Sequence, residues 1–140
     1  MSVAEIEAFL SREFPQIAET GDFIIEEVGE MSARMRLRYH DRHLRPGGTI
    51  SGPSMFALAD VGLYVAILAQ IGPVALAVTT NLNINFLRMP EQRDLIAHCK
   101  LMKLGKRLAV GEASMMSVGS DSVVAHATAT YSIPPRSEVL

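Results

Sequence analysis

The sequence contains few of the residue types that mark specialised classes of protein. It has no tryptophan, one cysteine (Cys99) and only 6% aromatic residues among 140. A single cysteine excludes an internal disulfide and fits a reducing compartment. The length is enough to bury a hydrophobic core without covalent or metal staples. We therefore expect one domain, residues 1–140, in the cytoplasm.

The sequence also lacks a strong net charge, and we expect it to carry no targeting segment. Its 13 basic and 15 acidic side chains give a formal charge of −2 and form no sustained basic stripe, so no nucleic acid partner is expected. Glu5 and Glu7 stand where a secretion signal would be basic or apolar. The longest apolar run, 55–69, contains Asp60 and is shorter than the roughly 20 residues of a membrane span. We therefore expect no membrane partner.

Hydrophobic periodicity predicts an α+β fold. Helical and strand-like spacing of apolar residues alternates with segments rich in glycine and proline, which predict turns. The predicted elements begin with a helix within 1–14 and strands in 22–29 and 31–40. A long helix follows, with Gly52 as its cap and Pro53 as its first residue, and it stops at Gly72-Pro73. Four strands between 75 and 133 and a flexible tail, 134–140, complete the chain. One antiparallel sheet wrapped around the long helix accounts for this order.

Asp60 is the one carboxylate inside the long apolar helix. Burying a lone charge is costly. Asp60 could therefore lie on an exposed edge of the helix, or its carboxylate could bond the backbone of a neighbouring strand. A third explanation is functional. The side chain is expected to lean towards the helix start, where the amides of Gly52 and of the residues after Pro53 are free. A carboxylate and a helix N-terminus are two parts that acyl transfer needs, a base or nucleophile and an oxyanion site.

Three stretches together resemble the hot-dog-fold acyl-CoA thioesterases, in particular their phenylacetate-pathway (PaaI-like) branch. They are GGTISGPSMFALADVGLY, AVTTNLNINFLRM, and GKRLAVGEASM with VVAHATATYSI, between about Leu44 and Ile133. The resemblance implies a hot-dog fold and hydrolysis of an acyl-CoA thioester to free acid and CoA. It also implies that Asp60 acts as general base or nucleophile, and that the Gly52 amide binds the oxyanion.

The same resemblance implies helpers for the reaction and shows departures from the family pattern. Thr79 matches a serine or threonine that places water. Ser51 stands where the family usually has histidine and is a second candidate to orient water. Pro53 replaces a second glycine, and Arg45 stands where asparagine or glutamine is common. These departures bear on the water network, the rate and the substrate preference.

The resemblance further implies a homodimer, commonly doubled to a tetramer, with acyl-CoA bound at the subunit interface. No metal and no redox cofactor are required. A polar row on one strand face would line or border that interface, although a half-exposed strand has the same pattern; the row is Thr79, Asn81, Asn83 and Asn85. Four cations are expected to cluster near the Gly105 turn and to meet the CoA phosphates, or to be a solvated surface; they are Arg88, Lys103, Lys106 and Arg107.

Two other functional classes stay open from the sequence. A non-catalytic acyl-CoA-binding or sensing protein could use the same fold, although it has little need of Asp60. A hot-dog hydratase would need a histidine beside that carboxylate, and the sequence places none there. Met55, Phe56 and Tyr64 are candidates for the acyl pocket and equally for the core, whereas Cys99 is expected in the core.

Overall fold

A computed structural model describes residues 1–135, which form one antiparallel sheet and three α-helices. In chain order the elements are α1 (Val3–Glu13), α2 (Pro15–Ala18), β1 (Phe23–Gly29), β2 (Ser32–Leu37), a 3-10 turn (Asp41–His43), α3 (Gly52–Ile71), β3 (Val78–Phe86), β4 (Leu95–Leu104), β5 (Leu108–Ser117) and β6 (Val123–Ser132). The α+β prediction is confirmed. Of the predicted tail, 134–140, only the first two residues lie within the described part of the chain.

The six strands have the order β1-β2-β4-β5-β6-β3, so β3 lies at one edge although it is the third strand in sequence. One face of the sheet covers α3, which contacts every strand. The inward side chains of β6 are small apart from the last, and small side chains let the helix approach closely; they are Ala125, Ala127, Ala129 and Tyr131.

Helix α3 is the centre of the hydrophobic core. By length and composition it is apolar enough to cross a membrane, but 56% of its most apolar window is buried inside the protein. Leu58, Leu63 and Leu68 are fully buried at different angles around the helix, because the sheet curves around it. This burial in protein explains an apolar run that has almost no amphipathic pattern.

The start of α3 differs by one residue from the prediction. Ser51, not Gly52, is the N-cap, and its hydroxyl oxygen accepts the amide hydrogen of Ser54. Gly52 is the first helical residue and Pro53 the second, where a missing N–H costs nothing. The helix ends as predicted at Gly72, whose φ of 90° suits glycine.

Gly62 lies on α3 where the helix approaches β4 and β2 most closely. A Cβ at this position would lie 2.4 Å from Sγ of Cys99 and 3.2 Å from Cγ of Met35. We expect Gly62→Ala to lower the free energy of unfolding by about 1 to 3 kcal/mol. This loss is expected although alanine by itself stabilises a helix by about 1 kcal/mol relative to glycine. Chemical denaturation measures the change.

The control for this prediction is the second substitution Cys99→Ala. Cys99 is 2% exposed, as expected for a core residue, and burial raises the pKa of its thiol to about 12. Removing Sγ makes room for the new methyl group, so we expect the double variant to regain part of the stability that Gly62→Ala loses. Additive losses would contradict the proposed steric conflict.

Candidate active site

The carboxylate of Asp60 lies between α3 and the two strands at one edge of the sheet. Its Oδ1 accepts a hydrogen bond of 2.5 Å from the Thr79 hydroxyl on β3. The Tyr131 hydroxyl on β6 lies 2.8 Å from the same oxygen and 2.6 Å from the backbone carbonyl oxygen of Asp60. Within residues 1–135, Oδ2 accepts no hydrogen bond, and it is not fully buried. Two hydroxyl groups hold one carboxylate oxygen, and the other carries no hydrogen bond from the described residues.

Tyr131 is the site residue that the sequence did not single out. It is 1% exposed and pairs with Thr79 across the strands. Burial, and next the charge of Asp60, raise the pKa of Tyr131, so its hydroxyl stays protonated and can donate. The one available signal was its place at the end of an alternating inward row on β6, since a buried phenol needs a polar partner.

A β-bulge in β3 corrects the predicted polar row. The register shifts between Thr79 and Asn81, and the extra residue reverses the facing of every side chain before it. Thr79 therefore shares the helix-facing side with Leu82 and Ile84, while Asn81 and the other two asparagines stay on the outer face. The bulge is what brings Thr79 to Asp60.

A cavity of about 420 Å³ adjoins the carboxylate. Apolar side chains form most of its wall, and the polar groups are those of Asp60, Thr79 and two tyrosines. Its lining residues are Leu10, Phe14, Ile17, Ala57, Asp60, Val61, Tyr64, Ala75, Ala77, Val78, Thr79 and Tyr131. Of the three predicted pocket candidates only Tyr64 lines it, because Met55 is in the core and Phe56 is 40% exposed elsewhere.

The N-terminus of α3 lies apart from this cavity. The amide of Gly52 donates no hydrogen bond within the described chain. A Cβ added to Gly52 would lie 3.1 Å from the ring of Phe86. Asp60 follows Gly52 by eight residues, about 12 Å along the helix axis, and no residue from 51 to 56 lines the cavity. The structure therefore does not bring Gly52 to Asp60 within one chain, contrary to the single-chain pocket expected from the sequence.

The loop before α3 is anchored by His43, which is 8% exposed. Its ring nitrogens lie 3.0 Å from the Arg38 carbonyl oxygen and 2.9 Å from the Asp22 carboxylate. Burial acts to raise the pKa of Asp22, but hydrogen bonds from Arg42 and His43 outweigh it and lower the pKa. The His43 carbonyl in turn accepts the Ser51 amide at 2.7 Å. This chain of contacts fixes the helix start that carries the free Gly52 amide.

Ser51 and Arg45 take other places than the water network around Asp60. The Ser51 hydroxyl donates to the Ser54 hydroxyl oxygen at 3.0 Å, in addition to its role as the helix cap. Arg45 lies on the exposed loop, where its backbone amide donates to Thr49. Of the predicted helpers, only Thr79 contacts the carboxylate.

The predicted cluster of cations is divided between opposite ends of β3. Arg107 adjoins Ile133 at the Val78 end, since its carbonyl accepts the Ile133 amide. Arg88 lies beyond the other end, and its amide donates to Val124. Ten residues of extended chain separate Val78 from Arg88, about 30 Å. Within one chain, Arg88 therefore does not join Lys103, Lys106 and Arg107.

The edge strand β3 is exposed and apolar at both ends. Among residues 1–135 its backbone pairs with β6 alone, which leaves one side of the strand without a partner in that part of the chain. Large exposed hydrophobic side chains flank it, at 53 to 75% exposure; they are Leu76, Val78, Phe86, Leu87 and Met89. A long apolar edge of this kind is typical of a surface that pairs with another strand.

The chain is similar to known proteins in sequence and in structure. Residues 47–124 match the family described as the thioesterase superfamily. A protein of Pseudomonas aeruginosa named "Putative esterase" is 30% identical over 96% of this chain and 99% of its own length.

Two solved structures extend the comparison. A "putative thioesterase" of Silicibacter sp. TM1040 has a TM-score of 0.88 and 50% identity, and the match covers 96% of this chain and 93% of the other. A phenylacetic acid degradation-related protein of Ralstonia eutropha JMP134 has a TM-score of 0.77 and 25% identity, over 89% and 98% of the two chains.

Proposed function

The chain belongs to the thioesterase superfamily, and from that premise we propose that it hydrolyses an acyl-CoA thioester to the free acid and CoA. Superfamily membership and the hot-dog fold support thioester hydrolysis in general. The observation that carries the finer proposal is the carboxylate of Asp60. One of its oxygens is held by Thr79 and Tyr131 and the other is free beside an apolar cavity, which suits a base or nucleophile next to an acyl group.

The proposed reaction needs only water and protein groups. Asp60 takes a proton from water as the water oxygen attacks the thioester carbonyl carbon. The C–S bond then breaks, and CoA leaves as a thiolate that receives the proton. In the alternative route Asp60 attacks the carbon itself and displaces CoA as the thiolate. Water then hydrolyses the resulting anhydride at the Asp60 carbonyl carbon, and its proton passes to the thiolate. After a single turnover in ¹⁸O-labelled water, label in Asp60 identifies this second route.

We propose that the oxyanion donor facing Asp60 belongs to a second copy of the chain. A tetrahedral oxyanion needs a donor about 3 Å away, and the Gly52 amide of the same chain lies two helical turns from the carboxylate. On β3, Thr79 contacts Asp60 and Phe86 contacts Gly52. These two positions are symmetric about a point just after Leu82, the central residue of the strand. Antiparallel pairing of β3 with its copy about that point brings Gly52 of one protomer level with the partner's Asp60.

The same two-fold arrangement reunites the divided cations. Arg88 lies at one end of β3, and Lys106 and Arg107 lie at the other. Antiparallel pairing places Arg88 of one protomer beside Lys106 and Arg107 of its partner, where together they suit the phosphates of CoA. The exposed apolar edge supports a homodimer of this geometry. A further doubling to a tetramer and a cytoplasmic location stay predictions from the sequence.

We assign the acyl group of the substrate to the cavity beside Asp60. Its volume of about 420 Å³ lies within the range of small-molecule pockets. Phe14 closes one side, with its ring edge to face against Tyr64 at a centroid distance of 6.3 Å. The short α1–α2 segment thus sets how far the cavity extends from the carboxylate.

Truncating Phe14 is expected to change the acyl preference. Phe14→Ala opens the wall, and each additional methylene that the cavity then buries is worth about 0.8 kcal/mol, or roughly fourfold in kcat/KM. The preference should move to longer acyl groups in a series of CoA esters. Phe56→Ala is the matched control, because Phe56 is 40% exposed against 39% for Phe14 and lies outside the cavity. The same order of preference in both variants would contradict the assignment.

Release of free thiol from a panel of alkyl- and aryl-CoA esters tests the proposed function. Release that saturates with ester concentration is the expected result. Saturable binding of the esters without release would replace the proposal with the acyl-CoA-binding alternative, and neither binding nor release would exclude both.

A further inference from the structure

We propose that Tyr131 is a positioning residue, whose hydroxyl fixes the orientation of the Asp60 carboxylate. The proposal rests on the proposed role of Asp60 in hydrolysis. The resemblance to the family assigned no function to Tyr131. Its hydroxyl has one hydrogen, which Oδ1 and the backbone carbonyl oxygen of Asp60 share, at 2.8 and 2.6 Å.

The contact with the main chain restrains the helix at the reactive residue. The Asp60 carbonyl has two lone pairs, so it can accept the phenol hydroxyl in addition to its helical hydrogen bond. Tyr131 therefore ties the middle of α3 to the end of β6. Because Thr79 lies opposite Tyr131 in the strand register, both donors approach Oδ1 from the same sheet edge, and within the described residues Oδ2 has no donor.

The other tyrosines show that this contact is particular to Tyr131. The hydroxyl of Tyr39 donates to the Gly48 carbonyl at 2.9 Å, and that of Tyr64 to the Ala75 carbonyl at 3.2 Å. Neither meets a carboxylate. A packing role alone would be filled by phenylalanine, whereas a buried hydroxyl loses its hydration and is stable only with a partner. At Tyr131 that partner is the proposed base.

Loss of the hydroxyl is expected to release the Asp60 side chain. With one donor fewer, the carboxylate can rotate away from Thr79, so fewer molecules hold Oδ2 in the reactive position. The carboxylate is proposed to act in the chemical step and not in the binding of the CoA ester, so its release lowers kcat and leaves KM little changed.

Tyr131→Phe tests the proposal by two independent readouts. The first is the orientation of the Asp60 carboxylate in a crystal structure of the protein without substrate. The second is the separate measurement of kcat and KM for the best ester of the panel. We expect the carboxylate to leave its single orientation, and kcat to fall about tenfold with KM within about twofold of wild type. Tyr39→Phe is the matched control, since it removes a phenol that bonds only a backbone carbonyl.

The possible outcomes separate this proposal from the proposed function. An Asp60 carboxylate that keeps its wild-type orientation in Tyr131→Phe, or a kcat that falls equally in Tyr39→Phe, overturns the positioning role. A carboxylate that changes orientation in a protein without hydrolase activity upholds the positioning role and overturns the function. If Tyr131→Phe fails to fold, 3-fluorotyrosine at position 131 serves instead. Its ¹⁹F NMR signal should move in Asp60→Asn, since that substitution changes the group that the phenol is bonded to, and an unmoved signal would overturn the proposal.

Discussion

Asp60→Asn is expected to lower kcat for thioester hydrolysis by about a thousandfold or more, the scale on which loss of a general base or nucleophile acts. The amide oxygen of asparagine can still accept the hydrogen bonds of Thr79 and Tyr131, so the fold should be kept. The amide nitrogen replaces Oδ2, the free oxygen of the site, and can neither take a proton from water nor attack a carbonyl. Thiol release from the best ester of the panel measures the loss.

Asp94→Asn is the matched control for this experiment. Asp94 is also a partly buried carboxylate, and it bonds Arg36 and the Tyr39 amide at 2.9 and 2.7 Å. It lies outside the cavity, so hydrolysis should persist in that variant. Turnover within tenfold of wild type in Asp60→Asn would remove Asp60 from the chemistry. Loss of folding in Asp60→Asn alone would make Asp60 a structural residue.

The parts of the fold that depend on local pattern could be predicted from the sequence. Apolar periodicity predicted a strand in 31–40, and β2 lies there with its alternate residues Ala33, Met35 and Leu37 buried. Gly72 predicted the end of α3. The start of that helix was missed by one residue, because Ser51 and Gly52 are both acceptable caps and only the bond from the Ser54 amide identifies Ser51.

The parts of the site that depend on register could not be predicted in this way. Simple alternation placed Thr79 with the outward asparagines, since a bulge adds a residue without a clear sequence signal. The position of β3 beside β6 decides that Tyr131 meets Asp60. It also decides that Arg88 and Arg107 lie at opposite ends of one strand. Such long-range pairings are set by the whole sheet, and spacing along the chain does not contain them.

A heterodimer of two inactive variants is expected to regain activity if each site takes Gly52 and Asp60 from different protomers. Gly52→Pro removes the amide hydrogen at a helix position that suits proline, and the exposed Phe86 ring can move aside. Its homodimer should lose about a hundredfold or more in kcat, and that of Asp60→Asn about a thousandfold. In the heterodimer one site combines the intact Gly52 and the intact Asp60. Purified with two affinity tags, it should show about half the wild-type kcat per dimer.

The reciprocal heterodimer makes this result decisive. A wild-type chain paired with the double variant Gly52→Pro, Asp60→Asn has one defective group in each shared site, so it should be inactive. If both groups acted within one chain, the two results would exchange: the first heterodimer would be inactive, and the second would keep half of its activity. Gly52→Ala adds the same Cβ near Phe86 but retains the amide hydrogen, so its homodimer should keep most of its turnover. A loss equal to that of Gly52→Pro would attribute the effect to crowding at Phe86 and not to the oxyanion donor.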